Sequence, residues 1–295
     1  MHVEADGFSL WIAMTGRSAS MEHLPQTQAS PYLTTKPYIN LIGLAVILFG
    51  IAWVGLNSAE GERAQTWFQV LILMIAFSVL AGHGVTGYWR GILIDNRYKM
   101  SLSRLQLIVW TLVILSALFT IVLTNIGPNT ADPLDVTIPS ELWILLGIST
   151  ASAVAGPAVL SSKKGRVADS QEFTKTAKDM ARSGTSIDEN VKEMIVCNTA
   201  PGDARWADLL KGDESGNAST IDVGKLQMFF FTFILLVGYG AAIASLLNGS
   251  DEVITKLPEV QEGMNVLLGI SHTGYLANKA VSHSKEGAVN SNGGH

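Results

Sequence analysis

The chain has 295 residues, 48% of them hydrophobic and only 15% charged, with a formal net charge of −5. Soluble domains carry about 25% charged residues, and here the charges crowd between long apolar runs that contain none. This composition excludes an ordinary soluble domain and predicts a multi-pass membrane protein. The modest acidic charge and single cysteine give no indication of a nucleic-acid partner or an internal disulfide.

A polar arm and two membrane spans are predicted for the first third of the chain. Residues 1–36 lack the basic start and apolar centre of a signal peptide, so a disordered cytoplasmic arm is expected. Residues 37–100 hold the first two transmembrane helices, Tyr38–Leu56 and Trp67–Gly82, followed by a basic connector. Each uncharged run approaches the ~20 residues that a ~30 Å hydrocarbon core requires.

The remainder of the chain contains an internal repeat. The triplet Arg-Leu-Gln at 104–106 is matched by Lys-Leu-Gln at 225–227, and Leu-Leu-Gly-Ile-Ser occurs at 145–149 and again at 267–271. The offsets are about 121 and 122 residues, so almost no insertion separates the copies. Two copies of one helix hairpin are therefore predicted.

The two copies bracket a polar segment. Repeat A is 101–162, with transmembrane helices 3 and 4, and repeat B is 222–282, with helices 5 and 6. The repeat-signature residues, for which a structural role is expected, are Arg104, Gln106, Lys225, Gln227, Gly147 and Gly269. Gln106 and Gln227 are expected to bond each other across a pseudo-twofold axis. Ser101 and Asp222 are residue types that favour the N-cap of a helix, and they precede equivalent helices.

Residues 163–221 are predicted to form a partly helical cytoplasmic loop. Helical spacing occurs at Gln171–Arg182 and at Ile187–Val196, and Trp206–Lys211 resembles a short amphipathic helix lying on the membrane surface. Residues 283–295 are expected to be a disordered cytoplasmic tail. Most Lys and Arg precede repeat A, begin the 163–221 loop or follow repeat B, which predicts that both termini are cytoplasmic.

The last predicted helix carries a polar stripe. Asn265, His272 and Lys279 recur every seven residues and fall on nearly one face. Ionisable groups at membrane depth are costly and are functional candidates by default. The candidate pore or gating residues are Asn265, His272, Tyr275, Lys279, Ser149 and Ser271. The alternative is that His272 and the serines only fix packing, and that Lys279 extends its amine to the interface.

The predicted fold is an all-α, six-span bundle in a bacterial inner membrane, whose last four helices form two parallel-oriented repeats. No catalytic residue, cofactor site or metal site is recognised, because no HExxH, Walker, GxSxG or paired-cysteine pattern occurs. The leading hypothesis is a non-enzymatic scaffold that holds a cytoplasmic protein partner through 163–221. The alternative is an oligomeric channel or small-solute pore lined by the polar stripe. Lipid is an expected partner, and assembly of several copies is the other association considered.

Overall fold

A computed structural model describes residues 37–57, 62–126, 132–184, 187, 192–249 and 253–287. Within these ranges the chain forms seven α-helices and several isolated β-bridges but no strand. The predicted arm 1–36 and the final residues 288–295 lie outside the described residues. The helices are α1 Pro37–Leu56, α2 Arg63–Thr86, α3 Leu102–Ile126, α4 Ser140–Ser161, α5 Ser170–Arg182, α6 Val223–Asn248 and α7 Glu262–Ala280.

Five of these helices are long and apolar enough to cross a membrane, namely α1, α2, α3, α4 and α6. Each contains 19 to 26 residues with a mean hydropathy between 1.7 and 2.5. The protein is therefore a helical membrane protein. The sixth predicted span forms a helix, α7, but Asn265, His272 and Lys279 lower its hydropathy and it does not join this group.

The four helices α3, α4, α6 and α7, which belong to the two predicted copies, pack in a closed circuit. α4 contacts α3 and α7, α7 contacts α6, and α6 contacts α3. Their shared core contains Trp110, Ile114, Leu145, Ile243 and Leu268, all buried to 1% exposure or less. Close packing of such apolar side chains stabilises the circuit by dispersion contacts in a membrane as in water.

The first two helices pack on the outside of this circuit. α2 contacts α3 and α6, and α1 contacts α2 and, less extensively, α3. The indole of Trp67 in α2 donates a buried hydrogen bond of 3.0 Å to the Ser116 hydroxyl in α3. The first two helices therefore belong to the same packed bundle as the other four.

The connections α3–α4 and α6–α7 meet at one end of the bundle, termed the loop end. Thr137 N–H donates to the Thr255 carbonyl at 2.7 Å, and Leu257 N–H donates to the Thr137 carbonyl at 3.1 Å. The Asn125 amide bonds both backbone groups of Ile254. Since α4 and α7 both begin here, the two hairpins point the same way.

Residues 163–222, termed the polar segment, cover the opposite end of the bundle, the segment end. The helix predicted over Gln171–Arg182 is confirmed as amphipathic α5, which buries Phe173, Ala177 and Met180. The helix predicted over Ile187–Val196 is wrong for the described residues: 192–196 are extended and bridge Val167 and Glu214. Met194, Ile195 and Val196 are all buried, and such a short apolar run does not distinguish helix from strand by period.

Candidate functional site

The connector between α2 and α3 places an arginine at the segment end. The Asp95 carboxylate accepts from the N–H groups of Arg97 and Lys99 and closes a tight turn in the manner of an Asx-turn. Tyr98 in this turn has a φ of 56°. The Arg97 guanidinium pairs with Asp95 at 2.6 Å and extends a second N–H away from the turn.

Asp213 of the polar segment receives that second N–H and two further cations. Its carboxylate accepts from Arg97 at 2.7 Å and from Lys225 at 3.0 Å, and its other oxygen lies 3.1 Å from the Lys279 amine. Lys225 begins α6 and Lys279 ends α7, so one carboxylate joins both helices of repeat B to the connector. We call Asp213 with these three cations the ion cluster.

The ion cluster is buried, and its charges decide how Asp213 titrates. Asp213 is 6% exposed, and burial alone would raise the pKa of its carboxyl. The nearby charges of Arg97, Lys225 and Lys279 outweigh burial and hold that pKa well below 3.8. Asp213 is therefore a carboxylate throughout the neutral range and acts as a fixed anion.

Lys99 is buried beside the cluster and has no ion-pair partner within 4 Å in the part of the chain that the structure describes. It is 1% exposed, and its amine donates to the Gly212 carbonyl at 3.2 Å. Burial, followed by repulsion from Arg97, lowers the pKa of Lys99 to about 8. The negative charge of Asp213 also stabilises the Lys99 cation. Loss of that charge would therefore leave a further buried cation uncompensated.

Glu214 and Lys163 form a second buried ion pair, and Lys163 also bonds carbonyl groups at the end of α7. The Lys163 amine contacts Glu214 at 2.6 Å and donates to the Lys279 and Val281 carbonyls at 2.7 Å each. Helix ends leave such carbonyls without intrahelical donors, and a cation there also opposes the helix dipole. The start of the polar segment is thereby fixed to the end of repeat B.

The predicted polar stripe of α7 faces α4 inside the protein. The Asn265 amide donates to the Glu141 carbonyl at 3.0 Å, and His272 Nδ1 shares a hydrogen bond with the Ser152 hydroxyl. The stripe is 3–8% exposed, with Lys279 at its segment end. The outward face of α7 is apolar at Val266, Leu267 and Ile270.

Several buried polar atoms of α4 and α7 have no hydrogen-bond partner among the described residues. They are the hydroxyl oxygens of Ser149 and Ser271, Asn265 Oδ1 and His272 Nε2. Tyr275, the remaining predicted residue, is 3% exposed and accepts from Lys279 through its hydroxyl. All six predicted pore or gating residues therefore lie in the protein interior on α4 and α7.

The repeat-signature polar residues differ between the copies. Gln106 is 1% exposed and donates to the Thr232 hydroxyl and the Met228 carbonyl, whereas Gln227 is exposed. The predicted Gln106–Gln227 bond is therefore wrong, because Gln227 faces outward. Arg104 donates to the Ile94 carbonyl at 2.6 Å, while Lys225 belongs to the ion cluster.

The signature glycines are not equivalent in their surroundings. A Cβ atom at Gly147 would meet nothing within 4 Å, and one at Gly269 would lie 3.8 Å from Ile148. Gly147 and Ala151 lie four residues apart on α4 and are both exposed, and we call this pair of small residues the Gly147 stripe. The stripe faces away from the other described helices of the chain. Both predicted N-caps are present: Asp222 accepts from the second and third residues of its helix, and Ser101 accepts from Arg104.

The chemistry available at these sites is ion pairing and hydrogen bonding. The described residues contain no group of three or more His, Cys, Asp or Glu side chains that could hold a metal ion. Cys197, the single cysteine, is exposed and lies in the polar segment. The ion cluster works as a latch that joins the polar segment to three structural elements.

Sequence reasoning missed Asp213, Arg97 and Lys99 as site residues. The basic residues of the connector were used only to predict the side of the membrane on which it lies. One available signal was the imbalance of the connector, which has four basic residues and one acid over 83–104. Such an excess next to apolar helices predicts that carboxylates from elsewhere in the chain approach it.

No family model, curated protein or solved structure matches this chain.

Proposed function

We propose that the protein is a non-enzymatic, six-span inner-membrane scaffold whose polar segment holds a cytoplasmic protein partner. The sixth span in this proposal is α7. It starts beside Glu141 at the loop end and finishes beside Asp213 at the segment end, so it accompanies α4 through the same depth. Its polar residues face α4, and its lipid-facing side is apolar, which meets the requirement of a membrane span despite its low mean hydropathy.

The orientation in this proposal follows the basic residues. Arg97, Lys99, Lys163, Lys225 and Lys279 all lie at the segment end. Basic residues flanking membrane helices remain on the cytoplasmic side. The segment end, and with it the polar segment and both termini, is therefore assigned to the cytoplasm of a bacterium.

The observation that carries the scaffold proposal is the attachment of the polar segment through Asp213. A segment bound to the connector, α6 and α7 together is a rigid platform, which lowers the entropy cost of binding a partner. On this platform α5 buries one face and presents Lys175, Lys178 and Arg182 on the other. We propose this exposed face of α5 as the contact for the partner.

Photo-crosslinking in cells tests the contact. A photoreactive amino acid at position 178 should crosslink a partner protein, and the same amino acid in place of Lys256 at the loop end should not. Deleting Gln171–Gly212 should abolish capture of that partner while the chain still inserts into the membrane. Identical crosslinks from positions 178 and 256, or capture that survives the deletion, would contradict the scaffold.

A pore is the second candidate, favoured by the unpartnered polar atoms between α4 and α7. Buried polar atoms normally have partners, so Ser149, Ser271, Asn265 and His272 have unused capacity to bind water or an ion. In an oligomer, the exposed Gly147 stripe would let a second copy approach closely. Solute flux in proteoliposomes that His272→Ala changes supports the pore; no flux, or unaltered flux, contradicts it.

A further inference from the structure

A cavity lies at the segment end, beside the ion cluster. It is bounded by the first turn of α3, the last turns of α4 and α7, and residues 193–197 of the polar segment. Its volume is about 190 Å³, more than ten times the roughly 10–15 Å³ that one water molecule requires. The cavity therefore has room for a small ligand group.

The cavity is lined by four basic and two acidic side chains. Arg97 and Asp95 are paired with each other, and Lys279 is engaged by Asp213. This leaves Arg104 and Lys164 as basic groups with free donors: Arg104 uses one N–H on the Ile94 carbonyl, and the Lys164 amine has no ion pair among the described residues. The available charge in the cavity is positive.

Ser103 supplies a separate indication of a ligand. It lines the cavity, is 2% exposed, and its hydroxyl has no hydrogen-bond partner among the described residues. It stands in the first turn of α3, where backbone N–H groups lack intrahelical acceptors and the helix dipole is positive. An anion at this position would accept from the hydroxyl and from the helix start.

Part of the cavity lining is apolar and comes from a helix long enough to cross a membrane. Pro157 and Leu160 belong to the last turns of α4, a helix apolar enough to span, and Tyr275 lies beside them. A ligand with a charged group and an attached apolar part fits such a wall. Glu193 also lines the cavity and repels a doubly charged anion more strongly than a singly charged one.

We propose that this cavity binds a phosphate group, held by Ser103, Arg104, Lys164 and the N-terminus of α3. The two sources of that chemistry are the headgroup of an anionic phospholipid and free phosphate. The apolar wall and Glu193 favour the phospholipid, whose phosphodiester carries one charge. Basic pockets between membrane helices are suited to such headgroups. The site requires only that α3 and α4 cross the membrane.

Thermal unfolding of the full chain in detergent, followed by tryptophan fluorescence, tests the site. The probes are phosphatidylglycerol, a diacylglycerol with the same acyl chains, and inorganic phosphate compared with chloride at equal ionic strength. Phosphatidylglycerol should raise the unfolding temperature and diacylglycerol should not. A rise with inorganic phosphate as well would identify free phosphate as a sufficient ligand. No rise with either phosphate source would overturn the proposal.

Two variants separate binding from folding. Lys164→Gln and Ser103→Ala should each weaken phosphatidylglycerol binding about tenfold, because each removes a donor to a charged group. Neither should lower the unfolding temperature without ligand, since Lys164 is exposed and the Ser103 hydroxyl has no protein partner to lose. Lys178→Gln, on α5 outside the cavity, is the control and should bind as the unaltered chain does. Unchanged binding in Lys164→Gln, or equal stabilisation by diacylglycerol, would overturn the site.

Discussion

The two hairpins have matching sequence segments, but their second helices, α4 and α7, bury different faces. Leu145 in α4 is completely buried, whereas its counterpart in α7, Leu267, is 48% exposed. Thr150 lies on the surface, whereas its counterpart His272 is buried against Ser152. Five of the six buried positions of α7 lie one residue later in the shared pattern than those of α4, and Ser271, which matches the buried Ser149, is the exception. One residue corresponds to about 100° of rotation.

This rotation explains how repeat B tolerates polar groups that repeat A lacks. Trp143, the counterpart of Asn265, is 59% exposed, and an indole suits a lipid-facing position near the membrane surface. In α7 the corresponding face points into the protein, and the Asn265 amide donates to the Glu141 carbonyl. Equal letters in a repeat do not imply equal environments when the helix has turned.

The segment ends of the copies differ in the same sense. Lys225 and Lys279 of repeat B both contact Asp213, whereas their counterparts in repeat A are Arg104, which lines the cavity, and the exposed Pro157. Repeat B is latched to the polar segment, and repeat A borders the proposed ligand site.

The largest effect is expected for Asp213→Asn. Removing the charge leaves Arg97, Lys225 and Lys279 buried around a neutral amide, and breaking a buried ion pair costs about 3–5 kcal/mol of the free energy of unfolding. Denaturant unfolding in detergent micelles measures this loss. Asp179→Asn is the control, because its pair with the 82%-exposed Arg182 side chain contributes about 0–1 kcal/mol. Equal losses in the two variants would contradict a structural latch.

Acid unfolding gives a second measurement of the same group. Because the folded-state pKa of Asp213 is lowered below 3.8, its contribution is fully present above pH 3.8 and is lost as the pH falls towards the folded-state pKa. The stability of the unaltered chain should therefore fall below pH 3.8. Asp213→Asn should show a shallower acid dependence, and an identical dependence would contradict the lowered pKa.

The rotation of α7 is tested by truncating equivalent leucines. Leu145→Ala should cost about 2–5 kcal/mol, because it opens a cavity in the shared core. Leu267→Ala removes the matching residue from an exposed face and should cost less than about 1 kcal/mol. Equal losses of unfolding free energy would show that the two hairpins bury the same face.

A smaller difference is expected between the signature glutamines. Gln106→Ala removes a buried amide that donates to the Thr232 hydroxyl and to the Met228 carbonyl, so about 1–3 kcal/mol of stability should be lost. Gln227→Ala changes an exposed residue and should stay within about 0.5 kcal/mol of the unaltered chain. A variant with both substitutions tests the expected contact between Gln106 and Gln227. Stability losses that do not add would indicate that the two glutamines are coupled.

The helices could be predicted from the sequence because long apolar runs have few alternatives in a membrane. Each predicted span forms a helix, and α5 forms where its helical period predicted it. The extended strip at 192–196 was misassigned because Met194, Ile195 and Val196 are buried without alternation. The local spacing of apolar residues does not show which segments pair in the folded protein.

The basic excess of the connector indicates that a carboxylate approaches it, but the sequence does not identify Asp213 as that carboxylate. Asp213 meets Arg97 across 116 positions of sequence, and no local pattern marks such a contact. The stripe of α7 was predicted as one face, which it is, but periodicity alone does not decide whether that face meets protein, lipid or water. The rotation between the copies likewise depends on packing against α4.

The most direct test of the account is the side of the membrane on which Cys197 lies. It is the single cysteine and is exposed, so a thiol reagent can reach it. A membrane-impermeant maleimide should label Cys197 in inside-out vesicles and leave right-side-out vesicles unlabelled. Asp135 is exposed in the α3–α4 connection at the loop end. Asp135→Cys in a Cys197→Ser background should therefore show the reverse pattern of labelling. Labelling of Cys197 in sealed right-side-out vesicles would contradict the account.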